Sequence, residues 1–314
     1  MKLGMVLEGG GMRGMYTAGV LDYLMDREFY PDGLLGVSAG ACHGCSYASH
    51  QRGRSYQINL EHCRDKRYMS WSSWLKTGEF FNADFAYHRI PDELVPYNYE
   101  KFERQRETMP FYVGVTNVET GKPEYLPVQE MHRDVAYVRA SSSLPLAARI
   151  IGIDGKRYLD GGIADSIPVD GMRGLGFQRN IVVLTRPAGY QKKPNAMLPA
   201  IRMVYGMRYP KLVEAAAERH LQYNAELARI ADLEAAGEVF VLRPSRRIDV
   251  SRLERNPKRL DAIYELGYDD ARAAFDELQA FAERARAATD STADARAAVA
   301  DTQKTGTAAG ETER

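Results

Sequence analysis

Cysteine and tryptophan are scarce in this chain, and neither sign of charge is in excess. The 314 residues include three cysteines and two tryptophans, and 42 basic side chains are matched by 42 acidic ones. Three cysteines are too few for a disulfide-stapled scaffold and agree with a reducing compartment. Because the chain lacks the basic excess that is typical of nucleic-acid-binding domains, we expect no nucleic-acid partner.

Long apolar runs are also missing. The sequence has no uninterrupted apolar stretch of about 20 residues, the length that spans a bilayer, and the run after Met1-Lys2 is too short for a signal peptide. We therefore expect a cytoplasmic protein that reaches a membrane, if at all, as a peripheral protein at its inner surface. With 45 % hydrophobic residues, the chain can bury the core of one large domain.

Glycine, by contrast, is abundant and is concentrated in two N-terminal turns. Each turn follows an apolar, strand-like run; the first is Gly9-Gly10-Gly11-Met12-Arg13-Gly14 and the second is Gly36-Val37-Ser38-Ala39-Gly40. In a G-x-S-x-G pattern the serine stands on a tight turn from strand to helix, and the flanking glycines remove Cβ atoms that would clash there. We predict that Ser38 is a nucleophile. The N–H groups of Gly9, Gly10 and Gly11, with the charge of Arg13, are expected to stabilise an oxyanion.

The base that would activate Ser38 is less evident from residue types. None of the six histidines lies in a glycine turn, although a triad of serine, histidine and aspartate needs its members only to meet in space. Asp160 ends a strand-like run and is followed by Gly161 and Gly162, which let the chain turn sharply. We therefore favour Asp160 as the direct base, a role that requires burial to raise its pKa.

The first glycine turn also matches G-x-G-x-x-G, the dinucleotide fingerprint. That fold requires an acidic residue about 20 residues further on, at the end of the second strand, to bind a ribose. Here Asp32 precedes the second predicted strand, and that strand ends at Ser38. A nucleotide-binding oxidoreductase is therefore the disfavoured alternative.

Together the motifs resemble those of the patatin-like phospholipase family. The first turn matches the family's oxyanion loop with Gly14, the second matches its nucleophile elbow with Gly36 and Gly40, and Asp160-Gly161-Gly162 matches its aspartate element. The resemblance covers about residues 1–190. It implies a Ser38/Asp160 dyad that hydrolyses fatty-acyl esters of phospholipids or lysophospholipids without a metal or an organic cofactor. Two alternatives remain: a small-ester or thioester hydrolase with no lipid role, and a catalytically silent scaffold that binds a lipid or a protein.

Alternating strand-like and helical runs predict an α/β protein. We expect a three-layer α/β/α patatin-like fold around a mainly parallel sheet, with strands at 3–7, 34–37, 111–116, 181–185 and 239–242. The predicted divisions are a catalytic core in 1–190, its helical completion with a late strand in 191–254, a small helical C-terminal appendage in 255–286 and a disordered tail in 287–314.

Four further segments can be interpreted from the sequence, and for two of them two interpretations remain. Aromatic residues cluster in 68–87. This segment is either a lid or acyl-chain pocket or an ordinary packed subdomain, because aromatic rings suit both. Cys42-His43-Gly44-Cys45 matches C-x-x-C, but inside a predicted helix we interpret the cysteines as packed residues rather than a redox or zinc site. The basic amphipathic segment 197–209 suits either an anionic membrane surface or its own domain, and Asp154-Gly155 predicts a hairpin turn.

Overall fold

One sheet organises the chain. The computed structural model describes residues 1–307, apart from the side chains at 71, 72, 76 and 288–307. In that part of the chain eight strands form the sheet: β1 (Leu3–Leu7), β2 (Gly33–Val37), β3 (Phe111–Asn117), β4 (Pro123–Val128), β5 (Ile151–Ile153), β6 (Lys156–Asp160), β7 (Arg179–Val183) and β8 (Val239–Leu242). Neighbours in the series β3, β2, β1, β7, β8 pair in parallel, whereas β4, β5 and β6 add antiparallel pairs. The predicted α/β class with a mainly parallel sheet is confirmed, and β1 and β8 have the predicted limits.

Strand β4 is a difference from the sequence-based expectation, which placed no strand there. It contains Pro123 and Pro127, which have no N–H to donate and are therefore typical of sheet edges. In the structure β4 pairs with β3 alone, so its prolines do not interrupt a second ladder.

Helices cover both faces of the sheet. In the described residues the α-helices are α1 (Met15–Asp26), α2 (Ala39–Ala48), α3 (Arg54–His62), α4 (Trp71–Thr77), α5 (Tyr99–Gln105), α6 (Met131–Ser141), α7 (Val169–Gly174), α8 (Leu198–Tyr205), α9 (Pro210–Ala235) and α10 (Pro257–Thr307). A π-helix at Phe85–Leu94 contains Pro91. None of the helices within the described residues is both long and apolar enough to cross a membrane.

Alternation along the central strands separates the core into layers. On β1, Met5 and Leu7 belong to a cluster that includes residues of α1, α2 and α10, while Val6 belongs to a second cluster with residues of α7 and α9. Successive strand residues point to opposite faces, so each buried face needs its own cover. The result is the expected order of helix, sheet and helix.

Helix α10 packs along α1. A Cβ atom at Gly19 would lie 2.0 Å from the Tyr264 carbonyl oxygen, and one at Gly267 would lie 2.0 Å from that of Tyr16, so the two backbones approach through these glycines. Tyr264 also donates a hydrogen bond to Asp22 Oδ2 at 2.9 Å. The segment expected to be an appendage thus contributes to the main core. The α10 backbone continues through most of the expected tail, and residues 308–314 lie outside the described residues.

Candidate active site

Ser38 occupies a strained turn between β2 and α2. Its backbone has φ +54° and ψ −121°, a conformation dominated by glycine in type II′ turns. A Cβ atom at Gly36 would lie 2.7 Å from the Ala41 backbone, and one at Gly40 would lie 2.3 Å from the Leu7 carbonyl oxygen. Strand and helix therefore come together only because both positions are glycine, as the G-x-S-x-G pattern predicts.

Strand β3 brings Asp160 to the same place. Val115 pairs with β4 on one side and with Asp160 of β6 on the other, so β6 shares the side of β3 on which β2 lies. The neighbouring residue Gly114 pairs with Val37, the last residue of β2. Because β2 runs parallel and β6 antiparallel to β3, their C-terminal ends face each other. Ser38 and Asp160 therefore meet end to end.

The turn after Asp160 fixes its carboxyl group. Oδ1 accepts a hydrogen bond from the Gly162 N–H at 2.8 Å. A Cβ atom at Gly161 would lie 2.2 Å from the Gly114 carbonyl oxygen, so this close approach also requires glycine. Oδ2 is buried and lacks a hydrogen bond of good geometry. Contacts between a nucleophile and its base are often loose in a ligand-free site and tighten when substrate binds.

Burial raises the pKa of Asp160 above its ordinary value. The charge of Arg219, the Ser38 hydroxyl, the Gly162 N–H and the charge of Arg252 act in the opposite direction, and they do not cancel the effect of burial. A carboxylate with a raised pKa is a better base near neutral pH. The environment therefore supplies the shift that the sequence argument required.

The glycine loop lies directly against Ser38. A Cβ atom at Gly9 would lie 3.0 Å from Ser38 Cβ, and one at Gly10 would lie 2.8 Å from Thr185 Oγ1. Gly11 has φ +57°. Among the described residues, the N–H groups of Gly9, Gly10 and Gly11 have no hydrogen-bond acceptor. They are therefore free to donate to a bound ligand.

Arg13 and Gly14 follow in the same loop. Arg13 is 6 % exposed, and its Nε atom has no hydrogen-bond partner. Burial, assisted by the charge of Arg186, lowers the pKa of Arg13 to about 10. Gly14 lies against His43, since a Cβ atom there would be 2.7 Å from the imidazole Nε2. Arg13 thus lines the site as an unpaired buried cation rather than as a solvated surface residue.

Ser38, Asp160 and the glycine loop open into a cavity of about 210 Å³. Much of its lining is apolar, including Ile58, Phe81, Ile90, Met131, Val138 and Leu144. An apolar groove beside a nucleophile suits an acyl chain.

Two family models match this chain. The model of the patatin-like phospholipases matches residues 5–173, more than half of the chain. The chain belongs to the patatin-like phospholipase family. A second model, for a domain of unknown function (DUF6363), matches residues 209–283. The nucleotide-binding alternative for the first glycine turn is thereby set aside.

Relatives of this patatin-like chain include bacterial and fungal proteins. The uncharacterized protein YjjU of Escherichia coli is 30 % identical over 60 % of this chain and 53 % of its own length. Lysophospholipase nte1 of Aspergillus fumigatus is 32 % identical over 55 % of this chain and 11 % of its own length, so the chain spans only part of these relatives. The crystal structure of VipD from Legionella pneumophila aligns with a TM-score of 0.44 and 11 % identity, covering 88 % of this chain and 67 % of that one.

His43 is the histidine to consider beside Ser38 and Asp160. Within the described residues, the largest effects on the pKa of the Asp160 carboxyl come from burial and from groups other than histidine. His43 lines the cavity, but burial lowers its pKa to about 4 and no carboxylate acts on it. A triad through His43 would need a carboxylate to orient the imidazole.

Other predicted segments divide between the cavity and the core. Tyr68, Phe81 and Tyr87 line the cavity, whereas Phe80 and Phe85 are buried in apolar clusters. The aromatic segment is therefore partly packed in the core and partly exposed to the cavity, and its role as a lid or acyl-chain pocket stays a prediction. The side chain of Trp71 lies outside the described residues.

Helix α2 and the predicted hairpin also bear on the site. Cys42 and Cys45 are free thiols on α2 that line the cavity, and Cys42 Sγ lies 3.3 Å from Ser142 Oγ. Within the described residues, no group of three or more histidine, cysteine, aspartate or glutamate side chains could hold a metal ion. Asp154-Gly155 joins β5 to β6 with both residues at positive φ, which confirms the predicted hairpin turn.

Two residues that support the turn at Ser38 and the glycine loop were not predicted from the sequence. Ser141 Oγ accepts a hydrogen bond from Ser38 N at 2.8 Å and donates one to the Gly114 carbonyl oxygen at 2.6 Å. Glu8 is buried before the glycine loop, where it accepts hydrogen bonds from Thr185 and from the Tyr223 hydroxyl. The available signal for Ser141 was the sequence Arg139-Ala140-Ser141-Ser142-Ser143-Leu144-Pro145, which is similar to a run that precedes the aspartate element in this family. Glu8 had none, because its partners lie far along the chain.

Proposed function

We propose that this chain is a serine acyl-hydrolase that cleaves fatty-acyl esters of phospholipids or lysophospholipids. Ser38 is the nucleophile, Asp160 the general base, and the N–H groups of Gly9 to Gly11 form the oxyanion hole. The observation that carries the proposal is the meeting of Ser38 and Asp160 at the facing ends of β2 and β6, beside N–H groups with no acceptor. Family membership and relatives named as lysophospholipases support the same activity.

The reaction runs in two halves. Ser38 Oγ attacks the ester carbonyl carbon as its proton passes to Asp160, and the loop N–H groups stabilise the negative oxygen. The bond to the alcohol then breaks, and the alcohol leaves with the proton from Asp160. A water molecule attacks the acyl-serine, transfers its proton to Asp160 and releases the fatty acid, after which Ser38 regains a proton.

A lipid substrate is favoured over a small ester by the cavity. Its apolar wall continues beyond the nucleophile, through Ile58 and Ile90, farther than an acetyl group would require. We expect kcat/KM on esters to rise with acyl-chain length. A flat dependence on chain length would favour the small-ester alternative.

We also infer contact with a membrane surface through α8. Met203 is 80 % exposed and Met207 is fully exposed, with Arg202 on the same amphipathic segment. Tyr205 anchors α8, because its hydroxyl oxygen accepts a hydrogen bond from Leu146 N at 3.2 Å, two residues from the cavity wall. Met203→Asp is expected to reduce sedimentation with anionic vesicles without changing turnover of a water-soluble ester. Unchanged sedimentation would refute the contact. The expected cytoplasmic location stays a prediction.

The dyad is tested by labelling the purified chain with a fluorophosphonate and locating the adduct by mass spectrometry. We expect an adduct on Ser38, none on Ser38→Ala, and much slower labelling of Asp160→Asn. Asp154→Asn is the matched control, because its carboxyl lies in the exposed hairpin turn, and it should label at the wild-type rate. Labelling of Asp160→Asn at the wild-type rate would contradict the dyad.

A further inference from the structure

The cavity has a cationic wall that comes from outside the family match. Lys192, Arg219 and Arg252 line the same cavity as Ser38, yet all three lie beyond residue 173, where the patatin-like match ends. Arg219 and Arg252 fall within residues 209–283, the segment matched by the domain of unknown function. This segment therefore brings positive charge to a site that the N-terminal motifs build.

Each of the three cationic residues lies beside a different part of the site. A Cβ atom at Gly162 would lie 3.1 Å from Arg219 Nη2 and equally close to Asp160 Oδ1, so the guanidinium stands beside the catalytic turn. The Arg252 carbonyl oxygen accepts a hydrogen bond from Met12 N at 3.1 Å, which holds this residue over the glycine loop. The Lys192 ammonium lies 3.5 Å from the centre of the Tyr223 ring.

These charges have no counter-ion at bonding distance. Within the described residues neither they nor Arg13 form an ion pair, and the Nε atoms of Arg13 and Arg219 are buried without a hydrogen-bond partner. Arg13 is buried, Lys192 and Arg219 are half-buried, and Arg252 is exposed. Charged groups withdrawn from water normally have partners, because desolvation without one is costly. An unpaired cluster facing a cavity therefore indicates an anionic ligand.

The carboxylates near the cluster are few and already engaged. Glu8 accepts hydrogen bonds from Thr185 and Tyr223, and Asp160 serves the turn beside Ser38. Burial, reinforced by Asp165, raises the pKa of Glu226 to about 9, so Glu226 is largely neutral at pH 7. The cluster keeps a positive excess.

The pKa of Lys192 reflects the same excess of positive charge. Burial and the charges of Arg219, Arg252 and Arg13 lower the pKa of Lys192 to about 7, and the charge of Glu8 acts in the opposite direction. An anion bound among these side chains would restore the charged form of the ammonium.

We propose that Lys192, Arg219 and Arg252 form a subsite for the phosphate group of the substrate lipid. Guanidinium forks and an ammonium suit the several oxygens of a phosphate, which accept hydrogen bonds from more than one side. The assignment rests on the proposed function, because it takes the anion to be part of the molecule whose ester reaches Ser38. It gives the segment after the family core the task of selecting phosphate-bearing lipids over neutral ones.

The test measures binding rather than turnover. Wild-type protein is titrated calorimetrically with an ether-linked alkylglycerol phosphate and with the alkylglycerol of the same chain, both below their micelle concentrations. We expect the phosphate compound to bind at least about tenfold more tightly, as one charged hydrogen bond already provides. Lys192→Met and Arg252→Gln should each remove most of that preference. Arg229→Gln is the matched control: it lies on α9 and pairs with Asp170 at the surface, so it should retain the preference.

Inorganic phosphate distinguishes the sources of the anion. It is expected to compete with the ether phosphate but to bind more weakly than it does. Equal binding of the two ether lipids, or equal weakening of both by Lys192→Met and Arg252→Gln, would overturn the subsite. Inorganic phosphate that binds as tightly as the lipid would overturn its assignment to a lipid headgroup. Ether lipids have no ester to cleave, so this result stands apart from the fluorophosphonate test, whose failure would refute the hydrolase alone.

Discussion

The strained backbone of Ser38 allows the effect of its Cβ atom on stability to be separated from the effect of its hydroxyl group. We expect Ser38→Gly to be more stable than Ser38→Ala, although both lack the nucleophile. At φ +54° and ψ −121° any residue with a Cβ atom is strained, whereas glycine adopts this conformation freely. Alanine keeps the strain and loses only the hydroxyl.

The magnitude follows from two opposing terms. Strain at a sparsely populated backbone conformation costs about 1–3 kcal/mol. Glycine lowers the free energy of unfolding by about 0.5–1 kcal/mol, because the unfolded chain is more flexible at a glycine. The net advantage of Ser38→Gly over Ser38→Ala then reaches about 2.5 kcal/mol at most and is about 1 kcal/mol at the middle of both ranges. For a chain of 314 residues this corresponds to a rise in Tm of about 2 °C, and of about 4 °C at most.

Urea unfolding and thermal melts of the two variants measure the difference. Ala18→Gly, in the middle of α1, is the matched control, where glycine should lower the free energy of unfolding by about 1 kcal/mol. If Ser38→Gly proved no more stable than Ser38→Ala, the turn would not be strained. The fold would then not hold Ser38 against its backbone preference.

The remaining predictions concern the base and its neighbours. Turnover should rise with pH through the raised pKa of Asp160, giving an acid limb above the ordinary aspartate range in a pH profile; a limb near pH 4 would contradict burial as the cause. Because a raised folded pKa means that stability is lost as pH rises through it, Asp160→Asn should have a Tm advantage over wild type at pH 8 that shrinks toward pH 4, while its turnover is lost. Ser141→Ala leaves the Ser38 N–H without its acceptor, so kcat on a soluble ester should fall about tenfold with little change in KM; an effect on KM alone would remove Ser141 as a positioning residue.

Local signals explain what the sequence could predict. Strand β1 and the turn at Ser38 are encoded within a few residues, by apolar runs and by glycines whose Cβ atoms would collide with the neighbouring backbone. Strand β4 carries no such signal, because Pro123 and Pro127 argue against a strand and only its edge position tolerates them. The length of α10 differs from the expected disordered tail, an expectation that rested on an alanine-rich segment with Val299 as its one large apolar residue.

Long-range contacts explain what remained hidden, and they concentrate in the second half of the chain. Tyr223 donates a hydrogen bond to Glu8 at 2.7 Å, and the Arg252 carbonyl oxygen accepts one from Met12 N at 3.1 Å. Both contacts hold the N-terminal glycine loop from residues more than 200 positions away, and no spacing rule connects such partners. In the proposed mechanism the family motifs provide the reacting groups, while the segment after them contacts the loop and places Arg219 beside Asp160. Activity should depend on that segment as much as on the motifs, because an oxyanion loop works only when its N–H groups are fixed before the substrate arrives.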